Sequence, residues 1–251
     1  MTPTPDEKPA AVFEMKSVMG DYKIHGLLRR EAYFDTIAAE LNGDPVELHV
    51  PRLPRSECMI PNAVRAFEQV ASSSVPTYIE TVYLKDRPAY VTTKTPDDVA
   101  SLASIMFQYP DNDMPLRQAL RHTDLLLRRI YDMERAGIVH GAINPESVLV
   151  SKVCSACFVR DWHYSVPVGG RVMFTNNTYE HLCPWDVREK EPVDAGTDMA
   201  AAMLMLQEMT ANVEVPDELT ALISEHLREG RARPKEAEVC RRKIREIHAD
   251  L

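Results

Sequence analysis

The sequence predicts an α+β fold of two lobes, a small strand-rich N-terminal lobe and a mainly helical C-terminal lobe. Up to residue 108, several short stretches alternate apolar and polar residues, as half-buried strands do. A strong break follows at residues 109–113, which read YPDND. Beyond it, apolar residues recur at helical spacing. We therefore expect residues 13–108 and 109–251 to form the two lobes of one domain, behind a disordered lead of residues 1–12.

The first lobe contains most of the predicted strands and one helix. Residues 33–41 are too few for their periodicity to distinguish a strand from a helix. Asn62 is a helix cap for a segment that reaches about Ala71. The predicted strands are residues 22–28, 46–50, 77–84, 88–93 and 100–108, the third and fourth of them joined as a hairpin by the polar turn at 85–87.

The second lobe contains most of the predicted helices. Its first elements are a short helix at 115–122 and a longer one that Thr123 caps and Gly137 ends. Ala and Met fill the helix 198–209, capped by Thr197, so we expect burial on several of its faces. The remaining predictions are strands at 147–151 and 156–159, a loop at 166–183, and helices at 217–228 and 235–249.

Composition excludes several classes of protein. The net charge of -9 argues against a general nucleic-acid binder, which needs an excess of Lys and Arg. No apolar run approaches the roughly 20 residues that span a bilayer, and the polar, Pro-rich residues 1–9 lack the apolar core of a signal peptide. Five cysteines are few for a disulfide scaffold. Cys154 and Cys157 form a C-x-x-C, which leaves a redox pair, half a zinc site or neither open.

Residues 140–150, HGAINPESVLV, organise the second lobe. They follow a helix, lead into an apolar run, and precede Asp161 after a second apolar run. The stretch resembles the catalytic loop of protein kinases, H-R-D-L-x-x-x-N. In that alignment Ala142 stands where the catalytic Asp belongs, and Ser147 where the metal-binding Asn belongs.

Further stretches resemble kinase motifs in the same order along the chain. Residues 46–49 resemble the V-A-I-K strand, with His49 in the place of the lysine, and Glu68 lies on the following predicted helix. The other resemblances are residues 107–111 to the interlobe hinge, 161–163 to D-F-G, 183–186 to A-P-E, and Asp198 to the acidic start of the helix that supports the catalytic loop.

A finer resemblance is to the rhoptry kinases of apicomplexan parasites. It is carried by VELHVP at 46–51, PNAV at 61–64, Phe107-x-Tyr109-Pro110 and the H-G of the loop. Residues 27–34 contain no glycine, which is similar to the branch of that family lacking the glycine-rich loop. The resemblance implies a secreted protein of the parasitophorous vacuole or cyst wall that binds protein partners. The identity of the partner and the oligomeric state stay open.

Kinase chemistry needs a carboxylate near the substrate hydroxyl, groups that hold metal ions, and a cation for the phosphates. Ala142 has no group that accepts a proton, the hydroxyl of Ser147 is a weak ligand for Mg²⁺, and His49 is only partly charged near neutral pH. Asp161 is the single weak candidate for holding a nucleotide or metal ion. We therefore expect an inactive pseudokinase without bound ATP or Mg²⁺. The alternatives are a divergent active kinase and a nucleotide-binding switch without phosphoryl transfer.

The remaining motif residues are predicted to have structural roles. His140 packs beneath the loop, and Asp198 accepts hydrogen bonds from backbone N–H groups of residues 140–142, since a buried carboxylate must be hydrogen-bonded. The resemblance of residues 183–186 to A-P-E implies that Asp186 pairs with Arg233. Two alternatives stay open: Asp161 is a structural carboxylate or a metal ligand, and Glu68 pairs with His49 or faces water.

Overall fold

The computed structural model describes residues 13–17, 20–70, 75–84, 87–109, 111, 113–175, 177–228 and 233–251. The chain forms two compact units, unit 1 within residues 1–60 and 76–95, and unit 2 within residues 61–75 and 96–251. The predicted disordered lead, residues 1–12, lies outside the described residues. Among the described helices, none is long and apolar enough to cross a membrane.

Unit 1 is an antiparallel sheet of six strands in the order β1-β2-β3-β4-β6-β5. One face carries an apolar core that includes Tyr22, Leu48 and Val91. Residues 46–49 of β4 are all buried, so its polar residues must find partners on the sheet. The strands are β1 (Phe13–Ser17), β2 (Gly20–Arg30), β3 (Phe34–Leu41), β4 (Asp44–Pro51), β5 (Tyr78–Leu84) and β6 (Arg87–Thr93), with a 3₁₀ helix at Pro54–Met59.

Unit 2 is mainly helical and contains two small antiparallel sheets. Strand β9 lies between β10 and β7 in one sheet, and β8 pairs with β11 in the other. The elements are α1 (Ile60–Gln69), β7 (Val99–Ser101), α2 (Leu102–Met106), α3 (Leu116–Arg135), β8 (Ile138–Val139), β9 (Val148–Ser151), β10 (Cys157–Val159), β11 (Val166–Pro167), α4 (Trp185–Arg188), α5 (Ala195–Met209), α6 (Asp217–His226) and α7 (Ala237–Ala249), with 3₁₀ helices at Trp162–Tyr164 and Asn177–Leu182.

Helix α5 lies at the centre of unit 2, and α3 packs against both α5 and α7. Helix α5 is buried on several faces, as predicted, and its buried residues are mostly small or flexible ones such as Ala201 and Met205. Its N-cap is Asp194, however, and not Thr197. The Asp194 carboxylate accepts the Gly196 N–H at 3.0 Å, while the Thr197 hydroxyl accepts the Asp194 N–H at 3.1 Å, so both residues cap the same turn reciprocally.

Three further predicted boundaries inside unit 2 are wrong. Asn62 does not cap α1, because that helix begins at Ile60 and Asn62 lies inside it. Thr123 does not begin a second helix, because its hydroxyl donates to the Ala119 carbonyl at 2.9 Å inside the continuous α3. Residues 100–108 are not one strand, since the Ser101 side chain accepts the Ser104 N–H at 3.1 Å and starts α2. Of the ambiguous residues 33–41, Phe34–Leu41 form strand β3, and the predicted loop 166–183 contains β11 and a 3₁₀ helix.

The chain enters unit 2 at Pro61, goes back to unit 1 at Pro76, and passes to unit 2 for the last time between Thr95 and Pro96. Residues from Pro96 onward belong to unit 2 because β7 pairs with strand β9 of that unit. The described residues of 107–111, which resemble a hinge in sequence, consequently follow α2 inside unit 2.

Candidate functional site

The loop that begins at His140 is fixed to the first turn of α5. The His140 N–H donates to Oδ2 of Asp198 at 2.7 Å, and the Gly141 N–H donates to Oδ1 at 2.9 Å. These are the contacts predicted for Asp198. Burial raises the pKa of this carboxyl, and the His140 ring together with the two backbone donors opposes that rise. The carboxylate therefore holds the backbone of the loop in place.

The imidazole of His140 is completely buried and hydrogen-bonded at both nitrogens. Its Nδ1 accepts the Ala142 N–H at 3.3 Å, and Nε2 lies 2.7 Å from the Arg160 carbonyl oxygen. A backbone N–H can only donate and a carbonyl can only accept, so the proton must be on Nε2. A ring held in this way stabilises the loop and has no free nitrogen for proton transfer.

Trp162 joins the loop to helix α1. Its ring centroid lies 5.5 Å from that of His140 in an edge-on arrangement, and 6.0 Å from that of Phe67 on α1. The indole N–H donates to the Val159 carbonyl at 2.7 Å, which satisfies a buried donor. Asp161, directly before it, is buried and has left-handed backbone angles, with φ 69° and ψ 36°.

Asn144 closes the middle of the loop with its side chain. The amide Nδ2 donates to the Ala142 carbonyl at 2.8 Å. The amide oxygen accepts the N–H groups of Glu146 at 2.9 Å and Ser147 at 3.1 Å. An asparagine that bonds to backbone two and three residues ahead forms a tight local turn. The loop is therefore held by its own side chains.

The hydroxyl of Ser147 is used inside the same turn. It accepts the Asn144 N–H at 2.9 Å and lies 3.0 Å from the Asn144 carbonyl oxygen, to which it donates. Ser147 is completely buried. A metal ligand needs an oxygen lone pair that faces the ion, whereas this oxygen faces the backbone of its own loop.

Ala142 lies at a shallow pocket, and the described residues that line it offer no base at neutral pH. Burial raises the pKa of the Cys183 thiol to about 11, with Arg188 opposing the rise. Burial also raises the pKa of Tyr179, and the carboxylates of Glu146 and Glu208 add to the effect. The lining residues are Gly141, Ala142, Ile143, Asn144, Thr175, Tyr179, Leu182, Cys183 and Pro184.

His49 in unit 1 is held against the sheet by its neighbours on β3 and β6. Its Nδ1 lies 3.4 Å from the Thr36 hydroxyl, and its Nε2 lies 3.1 Å from the Thr92 hydroxyl. The ring stacks on Tyr90 with centroids 4.4 Å apart and planes 12° apart. The buried imidazole thus satisfies its polar atoms on unit 1 itself.

The turn between β2 and β3 is closed by ion pairs. Arg29 pairs with Glu31, and Arg30 Nε lies 3.0 Å from the carboxylate of Asp35. Arg52, beyond β4, donates to the Glu31 carbonyl and lies 3.7 Å from Asp35. The turn is therefore built from charged side chains, without the glycines that let a phosphate approach the backbone.

Comparison with known proteins identifies the fold. No family model matches the sequence, and no curated protein matches it. Solved structures do match. The structure of vaccinia related kinase 3 is 11% identical, with 98% of this chain and 92% of that chain covered at a TM-score of 0.71. The BubR1 kinase domain is 13% identical, with 98% and 85% covered at a TM-score of 0.68.

The chain has a protein-kinase-like fold. This confirms the predicted fold class, a strand-rich unit followed by a mainly helical one. Identities this low show the fold alone, and the role of each site residue depends on its own contacts in this chain. In the kinase-like fold the loop at 140–150 keeps its shape through Asp198, His140 and Asn144.

The predicted pair of Asp186 and Arg233 is present and buried in unit 2. Both terminal nitrogens of Arg233 donate to the Asp186 carboxylate, with Nη1 3.3 Å from Oδ1. The Thr197 hydroxyl donates to Asp186 and accepts from Arg233 at 2.9 Å. A β-carbon on Gly196 would lie 2.7 Å from Arg233 Nε, so this glycine permits the approach. The network ties the start of α7 to the start of α5.

Glu68 and Asp161 have different surroundings. Glu68 is exposed on α1, which favours the alternative that it faces water. Asp161 is 5% exposed, and its carbonyl accepts the Tyr164 N–H at 3.2 Å. Whether Asp161 holds a metal ion stays a prediction.

Sequence reasoning missed two residues of the loop. Asn144 closes the turn, and its spacing to Ser147 is the signal that was available. Gly141 has φ 73° and packs against Val172. Nothing local to the sequence of the loop indicates that residue 172 would fill this space.

The described cysteines are all free thiols, including Cys154 and Cys157. Cys157 is buried, and burial raises the pKa of its thiol to about 12, with Arg129 opposing the rise. In the described part of the chain no group of three or more His, Cys, Asp or Glu side chains is arranged to hold a metal ion.

Proposed function

We propose that this protein is a pseudokinase, which transfers no phosphate and acts by binding protein partners. One observation carries the proposal. Ala142 aligns with the catalytic carboxylate of the kinase motif, and the described residues that line its pocket provide no other base. Kinase catalysis consists of positioning and charge stabilisation, so the lost carboxylate has no local substitute.

The metal-holding positions support the same proposal. Ser147 is buried and hydrogen-bonded within its own turn, so its hydroxyl faces away from any ion. Asp161 alone keeps a carboxylate at such a position. Mg²⁺ bound with ATP is usually held by one or two carboxylates together with phosphate oxygens. We propose that a single carboxylate, without the second group, leaves ATP and Mg²⁺ unbound.

Unit 1 supports the proposed lack of phosphate transfer at the positions that hold the ATP phosphates in kinases. His49 replaces the lysine, and both of its ring nitrogens lie within hydrogen-bond distance of threonine hydroxyls. In the turn between β2 and β3, Arg29 pairs with the carboxylate of Glu31 and Arg30 with that of Asp35. Neither feature supplies the compact free cation or the open backbone that phosphates require.

We further propose that the protein is secreted and serves as a scaffold or regulator in a parasite protein complex of the parasitophorous vacuole or cyst wall. The support is the resemblance to rhoptry kinases, carried by residues 46–51 and 61–64. Fluorescent tagging in such a parasite tests this part. Signal confined to the parasite cytosol would contradict it.

A thermal-shift titration with ATP tests the nucleotide part. The expected result is no change in Tm with ATP in either Mg²⁺ or EDTA, because a ligand raises Tm only when it binds the folded state. A rise that disappears in the Asp161→Asn variant would favour a nucleotide-binding switch. A rise accompanied by labelled phosphate on a protein would favour a divergent active kinase.

A further inference from the structure

The outward faces of α3 and α7 form one surface, which contains no residue of the candidate functional site. The two helices pack against each other, and the Ala237 N–H donates to Glu134 Oε2 at 3.0 Å, which places the start of α7 beside the end of α3. Farther along, Asp124 Oδ1 lies 2.9 Å from Arg241 Nε and 2.8 Å from Arg245 Nε. The helices are therefore antiparallel, and their outward residues lie side by side.

This surface, the arginine face, has an excess of positive charge. Its charged residues recur at i, i+4, i+7, i+11, i+15 and i+18 from Arg117 on α3, and at i, i+3, i+4 and i+7 from Glu238 on α7. Seven arginines and three carboxylates give the face a net charge of +4, on a chain whose net charge is -9. They are Arg117, Arg121, Arg128, Arg135, Arg241, Arg242, Arg245, Asp124, Asp132 and Glu238.

The carboxylates of the arginine face are already engaged. Asp124 is shared by two arginines of α7, one of which also lies 3.2 Å from Glu238. Asp132 lies 2.9 Å from Arg129, which is buried. The five other arginines of the face, all exposed, form no ion pair with any residue that the structure describes. Their guanidinium groups are therefore open to an anion from outside the chain.

The positive charges of the two helices repel one another. Arg117 and Arg121 are four residues apart on α3, a spacing at which like charges destabilise a helix. Burial lowers the pKa of Arg129, and the charges of Arg128 on α3 and Arg241 on α7 add to that effect. Charge from both helices thus accumulates at one place, and an anionic partner bound there relieves the repulsion.

The spacing of the arginines matches an extended acidic segment. Arg121 and Arg128 are seven residues apart, which is about 10 Å along a helix. Three residues of an extended chain also span about 10 Å, so acidic side chains at every third position meet successive arginines. All cations of the face are arginine, whose forked N–H donors fit a carboxylate. A lipid surface fits less well, because the exposed residues of α3 and α7 include no large apolar side chain to enter it.

We infer that the arginine face binds an extended, Asp- and Glu-rich segment of a protein partner. The inference rests on the proposed function, since it names the kind of partner that a non-catalytic protein of this fold recognises. The rest of the chain is negatively charged overall, so an acidic segment is attracted to this face and repelled elsewhere.

Two labelled peptides test the inference on the full chain. The first has about 10 residues, which reach roughly 30 Å when extended, with glutamate at every third position and Gly, Ala and Gln between. The second replaces every glutamate by glutamine. Fluorescence anisotropy should show saturable binding of the glutamate peptide that weakens as salt rises. No binding of the glutamate peptide, or equal binding of both peptides, would overturn the inference. Binding of phosphatidylserine vesicles or of a phosphoserine peptide in its place would overturn it as well.

Matched variants locate the binding. The double variant Arg117→Gln/Arg128→Gln removes two exposed charges of the face and should weaken the glutamate peptide by about tenfold. Arg65→Gln/Arg228→Gln makes the same change in net charge at exposed positions outside the face, and should leave binding unchanged. Equal affinity of the two double variants would overturn the inference.

Asp124→Asn should strengthen binding, a result that loss of folding cannot imitate. The substitution removes the carboxylate that two arginines of α7 share, which frees their N–H donors and makes the face more positive. The glutamate peptide should bind about threefold more tightly. Unchanged affinity would overturn the inference.

The thermal-shift titration with ATP on the same protein separates the two proposals. Neither peptide contains Ser, Thr or Tyr, so peptide binding is independent of phosphate transfer. Absent peptide binding with no response to ATP overturns the arginine face alone. A response to ATP accompanied by phosphate transfer overturns the proposed function, whether or not the glutamate peptide binds.

Discussion

A β-carbon placed on Gly141 would overlap Cγ2 of Val172. Val172 is buried in an apolar cluster with Val139, Val166, Val187 and Val193. An apolar contact therefore holds the segment that follows Asp161 against the loop at Gly141.

Substitution of this glycine should destabilise the protein by more than its backbone angle alone explains. Gly137 has φ 67° with no atom within 4 Å of an added β-carbon, whereas Gly141 has φ 73° and the clash with Val172. Gly137→Ala should cost about 1–2 kcal/mol of unfolding free energy. Gly141→Ala should cost about 2–5 kcal/mol, the backbone cost plus that of overpacking. Urea denaturation measures both.

The same clash makes Gly141 and Val172 energetically coupled. Val172→Ala should restore part of the stability that Gly141→Ala loses, because the shorter side chain removes the clashing methyl group. Strictly additive losses in the double variant, or equal losses for Gly141→Ala and Gly137→Ala, would contradict this packing.

The turn closed by Asn144 should be sensitive to loss of its side chain. Asn144→Ala removes three hydrogen bonds to the backbone of its own loop, in a buried setting. We expect a loss of about 2–3 kcal/mol, since the groups left behind are desolvated. Asn212→Ala is the control, because that exposed amide makes one hydrogen bond, to the Asp111 carbonyl. A loss no larger than that of the control would show that the turn holds without Asn144.

Much of this fold was predictable because its signals are local. The alternation of apolar and polar residues in β4 and the helical spacing of apolar residues in α3 can each be seen within one short stretch of sequence. The partners of Asp198 and Arg233 followed from the resemblance of their motifs. The continuity of α3 through Thr123 was missed, since a threonine that bonds back to its own helix has the same sequence as one that caps a new helix.

The unpredicted parts of the site depend on distant residues. The return of the chain to unit 2 at Pro96 follows from pairing of β7 with β9, which joins residues about fifty positions apart. The burial of Val172 against Gly141 likewise requires the folded segment after Asp161. No periodicity within either stretch specifies such contacts.

Stability should fall in mild acid because of His122. Burial, assisted by the charge of Arg121, lowers the pKa of His122 from 6.5 to about 4. As pH falls from 6.5 towards 4, the unfolded chain takes up this proton before the folded one, so unfolding becomes more favourable. The full effect is on the order of 3 kcal/mol. Tm measured against pH should show the decline.

Replacing the imidazole should flatten that decline. His122→Leu removes two ring nitrogens that have no hydrogen-bond partner among the described residues, so stability at neutral pH should be kept or raised. His248→Leu, at a partly exposed position on α7, is the matched control. Burial also lowers the pKa of His226, which accounts for the slope that remains. An unchanged pH profile in His122→Leu would contradict the assignment.

Breaking the pair of Arg233 and Asp186 should be strongly destabilising. Arg233→Ala leaves the Asp186 carboxylate buried without its guanidinium, and such losses cost about 3–5 kcal/mol. Lys235→Ala is the control, since its side chain is 44% exposed and its ammonium lies 2.8 Å from Asp194. A partly exposed pair of this kind contributes about 1 kcal/mol or less. Equal urea midpoints for the two variants would rule out the structural role of Arg233.

Incorporation of labelled phosphate tests the central claim most directly. The full chain is incubated with γ-labelled ATP, Mg²⁺ or Mn²⁺ and general protein substrates, beside the Asp161→Asn variant. Because Ala142 provides no base and Ser147 is closed within its turn, we predict label no higher than in the variant. Label on the chain or on a substrate that disappears in Asp161→Asn would contradict the account.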